Sequence, residues 1–192
     1  MDSPRESIHN SLTRRDLLLR MGGGLVAITV SSMWGEISPA QARARGTALR
    51  TLSAAQGRTL EALGGVLLPG AREAGIAHYV DDQLRRDNPL FLLKYMDYVD
   101  SYTTFYAEGL RSLERQSSVR YRQSFRALSR EQQEELVRAL SRNSPQGWNG
   151  PPAPLFYFVT RNDAIDVVYG TPEGFDKLNF PYMGHIRPPE RW

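Results

Sequence analysis

The chain has no cysteine among its 192 residues. Disulfides, thiolate-held iron–sulfur clusters and covalent c-type haem are therefore excluded, because their bonds or attachment points are thiols. It also has little excess charge of one sign. Against 24 Lys and Arg stand 21 Asp and Glu, interleaved along the chain for a net +3, and such a balance argues against a nucleic-acid partner. No Gly-x-Gly-x-x-Gly follows a strand, no Walker loop is present, and no histidines fall at metal-ligand spacing. Cofactor-binding and metal-binding residues are accordingly read as none in this chain. Strand-like alternation of any length is missing too, which points to an all-α fold.

What is present begins with a leader. Asp2 to Arg15 is polar and carries Arg5, Arg14 and Arg15, Met21 to Trp34 is apolar or small, and Ala40-Gln41-Ala42 offers the small-x-small pattern that signal peptidases accept. The apolar run is diluted by Gly22, Gly23, Gly24, Thr29, Ser31 and Ser32, and it falls short of the ~20 residues that a membrane-spanning helix needs. In Ser11-Leu12-Thr13-Arg14-Arg15-Asp16-Leu17-Leu18 an arginine pair is followed by a polar residue and then bulky apolar ones. That order resembles a twin-arginine (Tat) export signal. Residues 1–42 thus read as a cleavable Tat signal peptide, with Arg14, Arg15, Leu17, Leu18, Ala40 and Ala42 as its recognition points and the mature chain starting near Arg43. A periplasmic location is the expectation.

The remaining segment, 43–192, is long enough for one domain with one core. With 41% hydrophobic, 10% aromatic and 23% charged residues overall, the composition is that of a folded chain. Ser53 caps a helix over Ala54 to Leu68 that Pro69-Gly70 stops. A second helix is expected over Ala77 to Arg86, closed by Asn88-Pro89. Leu90 to Arg115 is the longest periodic segment. Its aromatics Phe91, Tyr95, Tyr98, Tyr102, Phe105 and Tyr106 recur every three or four residues, which reads as a helix face packed in the core or, since tyrosine joins contact area to a polar tip, turned to a partner. Ser129-Arg130-Glu131-Gln132 forms a capping box opening a helix over Arg130 to Arg142. A Pro/Gly turn, Ser144 to Pro154, then leads into an apolar-aromatic helix from Leu155 to about Val168. The fold expected is a small helical bundle.

Past Gly170 the sequence is punctuated by Pro172, Gly174, Pro181, Gly184, Pro188 and Pro189. Residues 170–192 are expected to form an extended Pro/aromatic-rich arm, because proline cannot continue a helix. Phe175, Leu178, Phe180, Tyr182, Met183, Ile186 and Trp192 are too apolar as a set for a solvated tail, and six residues stand out here: Tyr169, Phe175, Phe180, Tyr182, His185 and Trp192. They are the candidate partner-interface residues.

The mature segment offers little for catalysis. Ser117-Ser118 and Ser141 have no Gly-x-Ser-x-Gly setting. His78, Asp81 and Asp82 share a helical face, and a surface ion pair is the expected reading. Catalytic residues are read as none.

A Tat-like leader, Leu68-Pro69-Gly70, "FRALSREQQEELVRAL", Tyr169-Gly170 with Gly174, and the closing "HIRPPERW" occur in an order that resembles the gluconate 2-dehydrogenase subunit 3 family. The end departs from the better-known pattern, with Asn179-Phe180-Pro181-Tyr182 and His185-Ile186 where such subunits tend to have Gly-Trp-Lys and Gly-Tyr-Pro. The resemblance implies a non-catalytic small subunit of a periplasmic FAD-dependent dehydrogenase of the glucose–methanol–choline type. FAD would reside in the large subunit, the Tat translocase would be a transient partner, and a cytochrome c subunit is compatible with the same complex. The other reading is a stand-alone periplasmic helical binding or structural protein.

Overall fold

The computed structural model describes residues 37–179 except 97, 143 and 144. Every element among them is helical. The twin-arginine motif and residues 180–192 lie outside the described residues. Phe180, Tyr182, His185 and Trp192 are among these outlying residues, as are Arg14, Arg15, Leu17 and Leu18.

Helix α1, Pro39–Ala44, starts from a capping box in which Ser38 and Gln41 satisfy each other's backbone N–H groups. Helix α2, Ala54–Leu67, repeats the device with Ser53 and Gln56. Between them, residues 50–52 are tied down by a buried carboxylate. Asp81 accepts from the backbone N–H of Arg50 at 2.9 Å, Thr51 at 2.8 Å and Leu52 at 2.7 Å. Asp81 belongs to α3, Ile76–Gln83, all eight residues of which are buried.

The expected helix over Leu90 to Arg115 is broken. A short 3-10 segment spans Leu92–Met96, and α4 runs over Tyr102–Tyr121. The reason is local: Ser101 caps α4 through Thr104 N–H, and Ser, as a capping residue, competes for the backbone that a continuous helix would need. The three-to-four spacing of aromatics runs across the break. Phe91, Phe105 and Tyr106 are core residues as expected, whereas Tyr95 is 70% exposed. Helix α4 ends where Arg122 adopts a left-handed conformation.

A 3-10 turn at Phe125–Ala127 leads to α5, Arg130–Arg142, whose bounds match the expectation from its capping box. Helix α6, Ala153–Tyr169, is the hub and packs on α2, α3, α4 and α5. Phe156 lies within 6 Å, centroid to centroid, of both Phe105 and Trp148. Gly109 of α4 makes room for it, since a Cβ there would stand 2.3 Å from the Phe156 ring. Finally, α7, Pro172–Lys177, corrects the reading of 170–192 as wholly extended. Proline excludes a helix interior but suits its first turn, and the Thr171 hydroxyl accepts from Gly174 N–H at 3.1 Å.

Candidate interaction surface

Two places on this framework carry unusual chemistry. The first is interior. His78, Asp81 and Asp82, expected on a solvated face, are all buried in α3. His78 Nε2 lies 2.9 Å from the Thr47 carbonyl. Asp82 pairs with Arg86 through Oδ2 at 2.6 Å, and Gln83 Oε1 accepts from Leu90 N–H at 2.8 Å. Each of these groups ties a neighbouring stretch of backbone or side chain to α3, as buried polar groups must when water is excluded.

Deeper still, Tyr106 of α4 donates to Asp163 Oδ2 of α6 at 2.6 Å, with both residues fully enclosed. Burial is the main cause that pushes the Asp163 carboxyl up to about 8. The Tyr106 hydrogen bond opposes that shift and the nearby Asp166 charge adds to it. Burial likewise raises the phenols of Tyr106 and Tyr79, with Asp163 as the next cause for each. At neutral pH Asp163 is therefore a neutral carboxyl accepting a phenol hydrogen bond, an arrangement that avoids a buried charge.

The second place is the outside. Helix α6 presents Phe158, Ile165 and Tyr169 to solvent, at 49%, 38% and 39% exposure. Spacings of seven and four residues put them on one side of the helix. The segment before α4 exposes Tyr95, Met96 and Val99, and Leu178 is exposed just beyond α7. Large apolar side chains gathered along one helix face are the usual mark of a contact surface. Of the candidate interface residues, Tyr169 belongs to this face and Phe175 is half-buried on α7. Tyr95 stands in the aromatic stripe of the sequence, whereas Phe158 and Ile165 were not singled out there. Their signal is that α6 has apolar residues on more than one side, which one core does not require.

A groove of about 440 Å³ and a second of about 290 Å³ share Arg58 and Arg126, and Asp163 lines neither of them. Arg111 lines the first, with Arg72 and Arg130 on the second. Among the described residues no cluster of His, Asp or Glu is arranged to hold a metal ion, and no helix is long and apolar enough to cross a membrane. Ala40 and Ala42 of the expected cleavage motif are both in α1, Ala40 half-buried and Ala42 only 2% exposed.

No curated protein and no solved structure shows a significant match to the chain. The family model of gluconate 2-dehydrogenase subunit 3 matches residues 54–184, from the first residue of α2 through all of α7 and beyond it. The match covers well over half of the chain, and with it the helices that enclose Asp163 and carry the exposed apolar face. The chain belongs to the gluconate 2-dehydrogenase subunit 3 family.

Proposed function

We propose that the chain is the small, non-catalytic subunit of a periplasmic FAD-dependent dehydrogenase of the glucose–methanol–choline type, and that it carries its flavoprotein through the Tat pathway and stabilises it. The family match over residues 54–184 is the observation that carries this reading. Two others support it. The arginine pair Arg14-Arg15 stands in a Tat-like leader, and that route moves proteins already folded, so a leaderless flavoprotein docked on this subunit would be exported with it. Helix α6 offers an apolar outer face for that docking. FAD and the substrate chemistry belong to the large subunit, and an additional cytochrome c subunit is compatible with the arrangement.

The test is genetic and spectroscopic. Arg14→Lys with Arg15→Lys keeps the charge but removes the guanidinium geometry, which an ammonium does not reproduce. The double variant should leave both this chain and its flavoprotein in the cytoplasm, measured by dehydrogenase activity in separated fractions. Unchanged periplasmic activity refutes the export role. Tagged wild-type chain should co-purify with a protein showing a flavin absorbance spectrum. A chain that purifies alone and colourless supports a stand-alone structural protein instead.

A further inference from the structure

We infer that the Ala42–Arg43 peptide bond is protected by the fold and survives export, so that α1 is a permanent part of the subunit and the leader is not removed at Ala40-Gln41-Ala42. The inference rests on the export reading above, because only a chain that folds before translocation presents α1, rather than an extended segment, to the peptidase on the far side.

The pattern that signal peptidases accept is read from small residues at the third and first positions before the cut. Peptidases generally hold such a stretch as an extended strand, with alternate side chains in pockets and main-chain hydrogen bonds to the enzyme. In this structure the same residues are helical. Ala42 N–H donates to the Ser38 carbonyl at 2.9 Å. The carbonyl of the scissile bond, that of Ala42, accepts from Thr47 N–H at 3.0 Å. The Ala42 side chain is buried, and on the other side of the bond Arg43 Nε lies 3.1 Å from Glu61 Oε1 of α2.

The docking of α1 is tight where it meets the start of α3. At Gly75, which has a φ of +84°, a Cβ would stand 2.2 Å from the Pro39 carbonyl oxygen. Only a glycine there lets the backbone adopt the left-handed conformation and lets α1 approach. The loop that follows α1 is held in turn by the contact of His78 with the Thr47 carbonyl. Cutting after Ala42 would therefore require α1 to detach and extend, and cleavage of a transiently opened segment follows the small population of the open form.

The experiment presents the purified, folded full-length chain to purified signal peptidase in detergent, beside a synthetic peptide of residues 30–50. Mass spectrometry reads any product that begins at Arg43. The peptide should be cut, and the folded chain should be cut at least about 100-fold more slowly. Two variants loosen α1 by different means: Gly75→Val pushes it off by steric conflict, and Glu61→Lys replaces the ion pair with repulsion. Either should restore cutting toward the peptide's rate, and the Glu61→Lys chain tests the idea even if Gly75→Val fails to fold.

Folded wild-type chain cut as fast as the peptide overturns the inference. So does a peptide that resists, since the fold would then not be the protecting element. In cells, an exported chain whose N-terminus lies at or before Ser38 agrees with the inference and one starting at Arg43 overturns it. Failure of the export reading looks different: the full-length chain stays in the cytoplasm while the purified protein still resists the peptidase.

Discussion

Helices α5 and α6 pack against each other yet solve opposite problems. Helix α5 buries only Leu136, Val137 and Leu140 against α2 and α6 and keeps its Arg, Glu and Gln residues out of the core, the pattern of a helix with one apolar stripe inward and a polar face on the rest. Helix α6 buries Phe156, Val159, Ala164, Val167 and Val168 with the polar Thr160 and Asp163 among them, while Phe158, Ile165 and Tyr169 remain exposed. Two of its polar groups are inside and part of its apolar surface is outside. A helix made this way leaves apolar surface in solvent, and the family to which the chain belongs is named for a subunit of a dehydrogenase complex.

The largest contrast to test is in the carboxyls. On α5, backbone and side-chain hydrogen bonds lower the pKa of Glu131, and the Tyr121 hydroxyl does the same for Glu135. On α6, burial raises Asp163 to about 8. The folded-state pKa of Asp163 lies above its unfolded value near 3.9. The folded form thus binds the extra proton between about pH 4 and 8, and stability from this group is lost as pH rises through that window. The slope approaches about 1.4 kcal/mol per pH unit. Asp163→Asn keeps an acceptor for Tyr106 without a titrating proton. Denaturant melts at several pH values should show the wild-type stability falling from pH 5 to pH 8 and a much flatter profile in the variant.

Next in size is the core side of α6. Phe156→Ala removes a ring packed on Phe105, Trp148 and Gly109, and should cost about 3–5 kcal/mol in urea or guanidinium unfolding. The outer side of the same helix should behave in the opposite way. Phe158→Ala with Ile165→Ala should change the stability of the isolated chain by less than about 0.5 kcal/mol. The same pair should weaken its association with the proposed flavoprotein partner by about 2 kcal/mol, roughly 30-fold. Titration binding and thermal melts on one preparation separate the two effects. A stability loss as large as that of Phe156→Ala would show that this face belongs to the subunit's own core.

The smallest effect is expected on α5, where Arg130 and Glu134 pair four residues apart at 2.6 Å in a half-exposed position. Glu134→Ala should cost no more than about 0.5 kcal/mol, and less in high salt. Unfolding midpoints at low and high ionic strength check this.

Much of the framework was readable before any coordinates. Ser53 and Gln56, and Ser129 with Gln132, announce two helix starts because capping is a matter of a few adjacent side chains and the backbone they serve. The break at Ser101 was not readable from the aromatic period, since Phe91 and Phe105 both reach the core although their segments are separate. The same holds for α7, where the prolines of the tail suggested an extended arm and Pro172 in fact begins a helix. The interior was the least legible. His78, Asp81 and Asp82 are polar and closely spaced, which fits a surface, and nothing local tells that Asp81 accepts backbone bonds from residues some thirty positions earlier.

Local chemistry along the chain was enough for the helical class and for two of the helix starts, because capping and periodicity act over a few residues. Long-range packing settled the rest. It decided which carboxyls are enclosed and which paired, which face of α6 stays in solvent, and that Ala40 and Ala42 belong to a docked helix. Burial depends on what another segment places against a residue: Tyr106, which bonds Asp163, and α3, on which α1 with Ala42 packs, come from distant parts of the chain.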